Sequence, residues 1–219
     1  EATNMVRRIT NGGRKIIGKF PSRKMGRAIW YESQLERDFI HLLEIDADVI
    51  SYKEQPFKIR YALNGSIHTY MPDFFVVRPN RKQVVEVKTE KDAEKEENKA
   101  VFTRAALICR KDRYEFTLAT EKTFREQPML SNVKLLHKYS GTPVSHEHQI
   151  HAYAFFAGRK SGTISELIDF FASKGVGRQV VYTLIYWGFL WIDISKPIGP
   201  ESAVSMPMMQ YALQKEKIA

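Results

Sequence analysis

Cysteine is almost absent from these 219 residues, with Cys109 standing alone. A lone thiol excludes an internal disulfide framework and suits a reducing compartment such as the cytoplasm. Long apolar runs are lacking too. The nearest, VVYTLIYWGFLWIDI from Val180 to Ile194, is too short to span a bilayer and includes Asp193 near its end. No secretory signal is visible at the start, which is Glu1. Acids are missing from residues 1–27 apart from Glu1, while Arg7, Arg8, Arg14, Lys15, Lys19, Arg23, Lys24 and Arg27 all fall there. This stretch supplies most of the chain's net charge of +9, and Gly12, Gly13, Gly18 and Pro21 argue against a helix. It reads as an irregular basic arm suited to a polyphosphate backbone such as DNA. A solubilising tail is the plainer alternative.

Apolar residues, in contrast, are plentiful at 43%, with aromatics at 12%, which excludes global disorder. The length allows one large domain or two small ones. Ser33 to Glu44 predicts a helix, since Leu35, Phe39, Leu42 and Leu43 recur at helical spacing. Strands are expected from Phe57 to Leu63, from Ile67 to Val77 and from Gln83 to Lys88, with Asn64-Gly65-Ser66 turning the chain between the first two. A long helix over Asp92–Lys111 should bury Val101, Ala105 and Ile108 on one face, and Arg113 to Thr120 alternates as a fourth strand. A strand–helix–strand step favours parallel pairing of the last two strands through a right-handed crossover. The expected core, over residues 28–140, is α/β: a mixed sheet flanked by helices.

The stretch YMPDFFVVRPNRKQVVEVK carries Asp73, Glu86 and Lys88 on otherwise apolar strands. A type I turn with Pro79 and Asn80 at its centre makes antiparallel partners sum to 159, so Asp73 faces Glu86. Directly opposed side chains share a face with Cβ atoms roughly 5 Å apart. Lys88 lies two residues beyond Glu86 on that face, roughly 7 Å along the strand. Val85 and Val87 then point into the other layer. Carboxylates that close repel unless a cation intervenes, and a hard divalent ion such as Mg²⁺ takes oxygen ligands of this kind. Lys88 beside them is placed to hold a water or steady charge on a phosphate. Exposed cross-strand ion pairs are the bland alternative. Glu36 is a further candidate on the helix expected to pack beside the sheet, although Ser33-Gln34-Leu35-Glu36 equally fits a capping box. His68 lies near these residues and has a phosphate contact or a plain surface role open to it. His146, His148 and His151 are too loosely spaced for a zinc site to be expected.

These residues, with YESQLERDFIHLLEIDADVISYKEQPFKIRY before them, resemble the PD-(D/E)XK nuclease superfamily. More particularly they resemble the TnsA-type endonuclease subunit of heteromeric, Tn7-like cut-and-paste transposases, over roughly residues 20 to 125. The resemblance implies a metal-dependent endodeoxyribonuclease that cleaves the 5′, non-transferred strands at transposon ends. Catalytic roles are implied for Glu36, Asp73, Glu86 and Lys88. It further implies two Mg²⁺ ions, for which Mn²⁺ can substitute, held by Asp73, Glu86, the Val87 carbonyl and Glu36. The implied partners are DNA ends, an integrase-like TnsB-type transposase and a TnsC-type ATPase regulator. A stand-alone restriction or repair nuclease, and a non-catalytic DNA-binding adaptor, are the competing readings.

After a boundary at Ser140 to Gln149 the pattern changes. Helices are expected at His151 to Ala157, Ile164 to Ser173 and Arg178 to Trp187, followed by short strands around a Pro/Gly turn. That order outlines a smaller winged-helix-like domain over 145–219. Its third helix offers Arg178 and otherwise apolar or aromatic groups, which suits packing and protein contact better than base readout. The Met-rich end from Ser205 to Ala219 is expected to dock on a partner, with a frayed terminus as the alternative.

Overall fold

A computed structural model describes residues 17–207. The described part of the expected irregular arm, residues 17–27, instead enters a hairpin, β1 (Gly18–Ser22) with β2 (Arg27–Tyr31). Phe20 opposes Ile29 in that pairing and both are buried, so two inward apolar groups override Gly18 and Pro21 there. Arg7, Arg8, Arg14 and Lys15 lie outside the described residues.

The predicted first helix is α1 (Gln34–Ile45), capped by Ser33, whose hydroxyl accepts from the Glu36 N–H. Its buried positions are Leu35, Asp38, Ile40, Leu43 and Glu44. Next comes β3 (Ser51–Glu54), which the sequence reading missed. Its Ser-Tyr-Lys-Glu is too polar to signal a buried strand, yet Tyr52 is fully packed. The strands β4 (Ile59–Leu63) and β5 (Ser66–Tyr70) form a separate two-stranded ribbon rather than part of the main sheet. The strand expected from Ile67 to Val77 is broken, since Pro72 has no N–H to offer a ladder, and pairing resumes at β6 (Phe74–Arg78). Then β7 (Arg81–Lys88) pairs antiparallel with β6 in the expected register, Arg78 opposite Arg81.

The long helix is interrupted into α2 (Glu90–Ala93) and α3 (Glu96–Lys111). Its buried face is Phe102, Ala105 and Cys109, displaced from the expected one because the aromatic ring and the thiol take the inward positions. The crossover ends in β8 (Glu115–Thr120), parallel to β7 as predicted. The central sheet therefore has the order β3-β6-β7-β8, mixed and flanked by helices. On one face α1 meets Phe74, Val76, Val85 and Val87. On the other, Val84 packs with Ile59, Ala105 and Cys109 beneath α3.

Two unanticipated helices follow, α4 (Glu121–Phe124) and α5 (Met129–His137). Leu136 of α5 belongs to a second core built by α6 (His146–Phe156), β9 (Gly162–Thr163), α7 (Ile164–Ala172), α8 (Arg178–Tyr186), β10 (Trp191–Ile192) and β11 (Ala203–Ser205). The start of α6 precedes expectation because Ser145 and His148 form a capping box. A small antiparallel sheet of order β10-β11-β9 closes this region. Asn132 fastens α5 to it, donating to the carbonyls of Ile194 at 2.9 Å and Lys196 at 2.7 Å. Among the described residues no helix is long and apolar enough to cross a membrane.

Candidate active site

The site lies where β6 and β7 run out together, at the end away from their turn. The ladder ends with Phe74 opposite Val85, and Asp73, just beyond it, lies within electrostatic reach of Glu86. Both acids are buried, at 8% and 3% exposure. Val85 and Val87 face α1, so Glu86 and Lys88, which alternate with them, take the opposite side of the sheet. Lys88 Nζ pairs with Glu86 Oε1 at 2.7 Å. Tyr70 donates its hydroxyl to the other oxygen, Oε2. Asp73 Oδ2 accepts from the Val87 N–H at 2.8 Å.

Glu36 caps its own helix and also lies near the other acids. Its Oε1 accepts from the Ser33 hydroxyl at 2.9 Å and its Oε2 from the Glu32 N–H at 2.8 Å, a capping box that reaches one residue further back than expected. From the first turn of α1 it also comes within electrostatic reach of Asp73 and Lys88.

Charge is therefore unbalanced here: three carboxyl groups meet one ammonium in a low-dielectric setting. Burial, with Glu86 and Glu36 adding to it, pushes the Asp73 carboxyl well above the usual range, against the pull of Lys88 and the Val87 N–H. Burial raises Glu36 as well, although the hydrogen bonds from Glu32 and Ser33 pull the other way. Burial alone would lower Lys88, but Glu86, Asp73 and Glu36 outweigh it and raise the ammonium. Tyr70 is raised by burial and by Glu86, so it stays a protonated donor.

The donor set is all oxygen, and its excess negative charge is the kind a hard divalent cation neutralises. As the side chains stand, no group of three or more His, Cys, Asp or Glu among the described residues could hold a metal ion. Lys88 and Tyr70 engage the two oxygens of Glu86. The chemistry of the donors fits Mg²⁺, and a cation would compete with those two partners.

Two residues at the centre escaped the sequence reading. Tyr70 lay inside the inspected stretch, but nothing local signals that a strand tyrosine will meet a carboxylate sixteen positions away. Gln55 sits at φ +41, in the left-handed region that a non-glycine residue enters at a cost. From there its N–H donates to the Asp73 carbonyl at 2.8 Å and its side-chain amide to Glu32 Oε1 at 2.7 Å. The Glu54-Gln55-Pro56 motif thus pins the backbone carrying Asp73 to the entrance of α1.

The basic residues of the entry hairpin are partly engaged. Lys24 Nζ donates to the Leu43 carbonyl at 2.8 Å and the Asp46 carbonyl at 2.5 Å, closing the end of α1. Arg27 forks onto Glu54 at 2.8 and 2.6 Å. Lys19 lies over the Trp30 ring, 4.5 Å from its centroid. His148 serves as a helix cap through Nδ1, which accepts from the Ser145 N–H at 3.1 Å. Helix α8 buries Val180, Val181, Thr183, Leu184, Ile185 and Tyr186, which leaves it little face for a groove.

Residues 46–121 match the family described as TnsA-like endonuclease N terminal. The match takes in Gln55, Tyr70, Asp73, Glu86 and Lys88, and Glu36 lies before it. No curated protein matches the chain. The match supports a TnsA-type nuclease, a family whose general fold is PD-(D/E)XK.

Proposed function

We propose, from the TnsA-type nuclease segment at residues 46–121, that this chain is the Mg²⁺-dependent endonuclease subunit of a Tn7-like cut-and-paste transposase, cutting the 5′, non-transferred strands at the element's ends. The observation that carries the reading is the meeting of Asp73, Glu86 and Lys88 at one end of the β6–β7 pair inside that segment. Asp73, Glu86, the Val87 carbonyl and Glu36 would hold the ions. Bound there, Mg²⁺ supplies electrostatic stabilisation of the attacking and leaving oxygens in phosphodiester hydrolysis.

The chain's own groups do the rest. Lys88, kept protonated by three carboxylates, is a donor for the attacking water and a counter-charge for the phosphate. Tyr70 orients Glu86, and Gln55 fixes the backbone of Asp73. Arg7, Arg8, Arg14, Lys15, Lys19 and Arg23 would contact phosphates, with Lys24 and Arg27 contributing less because internal partners hold them. The C-terminal elements, read as winged-helix-like, would serve a TnsC-type ATPase rather than base readout, in keeping with the burial of α8, and an integrase-like TnsB-type subunit would be a further partner. The reaction would take place in the bacterial cytoplasm.

The test is strand-specific nicking of labelled transposon-end DNA by the reconstituted transposase. Asp73→Asn should abolish 5′-strand cleavage while leaving 3′-strand cleavage by the partner intact. Retained Mg²⁺-dependent 5′ nicking in a folded Asp73→Asn chain would refute the assignment.

A further inference from the structure

Between Glu54 and Asp73 the chain runs eighteen residues without an acid, although Asp and Glu make up 25 of its 219 residues. That acid-free stretch is the β4–β5 ribbon and its flanks. It stands apart from the central sheet, turns at Asn64-Gly65 with both residues at positive φ, and is held by Arg104, whose Nε donates to the Ala62 carbonyl at 2.9 Å. The positive φ pair is the tight hairpin geometry that Asn-Gly favours.

The register decides what the ribbon presents. Ile59 opposes Tyr70 and Tyr61 opposes His68, so Tyr61 and His68 share a face with the tyrosine that reaches Glu86. Their rings stack, 5.5 Å between centroids and 22° between planes. Lys58, Arg60 and His68 are exposed, and Ile67 is 63% exposed. A basic, aromatic ribbon with no acid thus continues directly from the candidate catalytic carboxylates. Lys58 and Arg60 alternate with Ile59 and Tyr61 along β4, so they present the opposite face, where exposed cations complement a phosphate backbone.

We propose that the β4–β5 ribbon is a DNA-gripping element that lies along the duplex beside the scissile phosphate, a reading that rests on the nuclease function above. From Tyr70 to the Asn64–Gly65 turn the ribbon is about six residues long, or ~20 Å at the strand rise of ~3.3 Å per residue. At ~3.4 Å per nucleotide along one strand, it covers about six nucleotides to one side of the cut. Lys58 and Arg60 neutralise phosphates from the face opposite the Tyr61–His68 pair.

The test measures binding of the full chain, as Asp73→Asn to prevent cleavage, to a 40-base-pair duplex across a KCl series by fluorescence anisotropy. Removing Lys58, Arg60 and His68 together by alanine substitution should make the slope of log K against log[KCl] shallower by about 2, at ~0.9 per phosphate contact. Thermal unfolding should stay unchanged. Ser66→Lys, an addition at the exposed tip, should steepen the slope by about 1 on the same relation. Binding by the parent with the same slope in both variants overturns the ribbon proposal and leaves the nuclease reading standing. No binding by the parent at any salt overturns both.

Discussion

Two groups of buried acids lie at opposite ends of α1, and they are built on opposite principles. At the far end Glu44 receives the Ser22 hydroxyl at 2.6 Å, the Tyr52 hydroxyl at 2.6 Å and the N–H groups of Arg23 and Lys24 at 2.9 and 3.2 Å. Midway, Asp38 faces Arg125 at 2.7 Å and Lys134 at 2.5 Å. Each of these acids is surrounded by donors. At the near end Asp73 faces two further carboxyls, Glu86 and Glu36, with Lys88 as the shared cation. The first group is what stability selects, since a buried charge that is hydrogen-bonded, as Glu44 is, or paired with cations, as Asp38 is, costs less than an unpaired one. The second leaves negative charge in excess in a buried place, and such imbalance suits a cation.

The sharpest way to break that contrast is to neutralise one member of each group. On the function proposed above, Asp73→Asn should lower 5′-strand cleavage by about 10³-fold or more, the size of loss expected of a residue at the reacting centre. Without metal it should melt no lower than the parent, because it removes a charge the fold disfavours. Glu44→Ala should do the reverse. It strands several buried donors and should cost on the order of 3 kcal/mol in urea unfolding, with cleavage per folded molecule unchanged. A large stability loss in Asp73→Asn, or a selective cleavage loss in Glu44→Ala, would collapse the distinction.

A smaller effect concerns the rings beside Glu44. His41, His137 and Phe20 meet edge-on, with centroids 4.7 to 4.9 Å apart. Burial lowers His41 to about 3, and His137 and nearby cations add to this; burial lowers His137 too. Both imidazoles are thus disfavoured as cations in the folded chain. Their stabilising contribution is full above the unfolded value near 6.5 and is lost as pH falls below it. Unfolding free energy should decline from pH 6.5 to 4.5 by at most about 1.4 kcal/mol per pH unit for each histidine, and less here because both rings are only partly buried. His41→Phe should flatten that decline in a pH series of urea melts. The mildest substitution is Arg27→Ala, which removes an exposed pair and should shift stability by only about 0.5 kcal/mol. A decline in DNA affinity far beyond its neighbours' effect would show that Arg27 leaves Glu54 for phosphate.

Much of the candidate site was legible because it depends on local rules. The Pro79-Asn80 turn sets a register, and a register with period-2 side chains brings Asp73 near Glu86 with Lys88 alongside. The Asn64-Gly65 turn and the parallel β7–β8 crossover follow from equally local signals. What was misread depends on distant partners. Phe57 to Leu63 has strand character, but pattern alone does not say which strand it pairs with, and Ser51–Glu54 took the sheet position instead. The entry hairpin holds because Phe20 and Ile29 find a core made by other segments.

The same division runs through the chemistry. Residue types and spacing alone determined that two acids and a lysine converge, since backbone geometry over a dozen residues leaves little freedom. Only the tertiary structure decided which acids are satisfied and which are left in excess. That outcome turns on donors brought from far along the chain: Tyr70 to Glu86, Gln55 to Asp73, Ser22 and Tyr52 to Glu44. Burial and long-range contact set the electrostatic cost of a charge, and neither is written in the residues next to it.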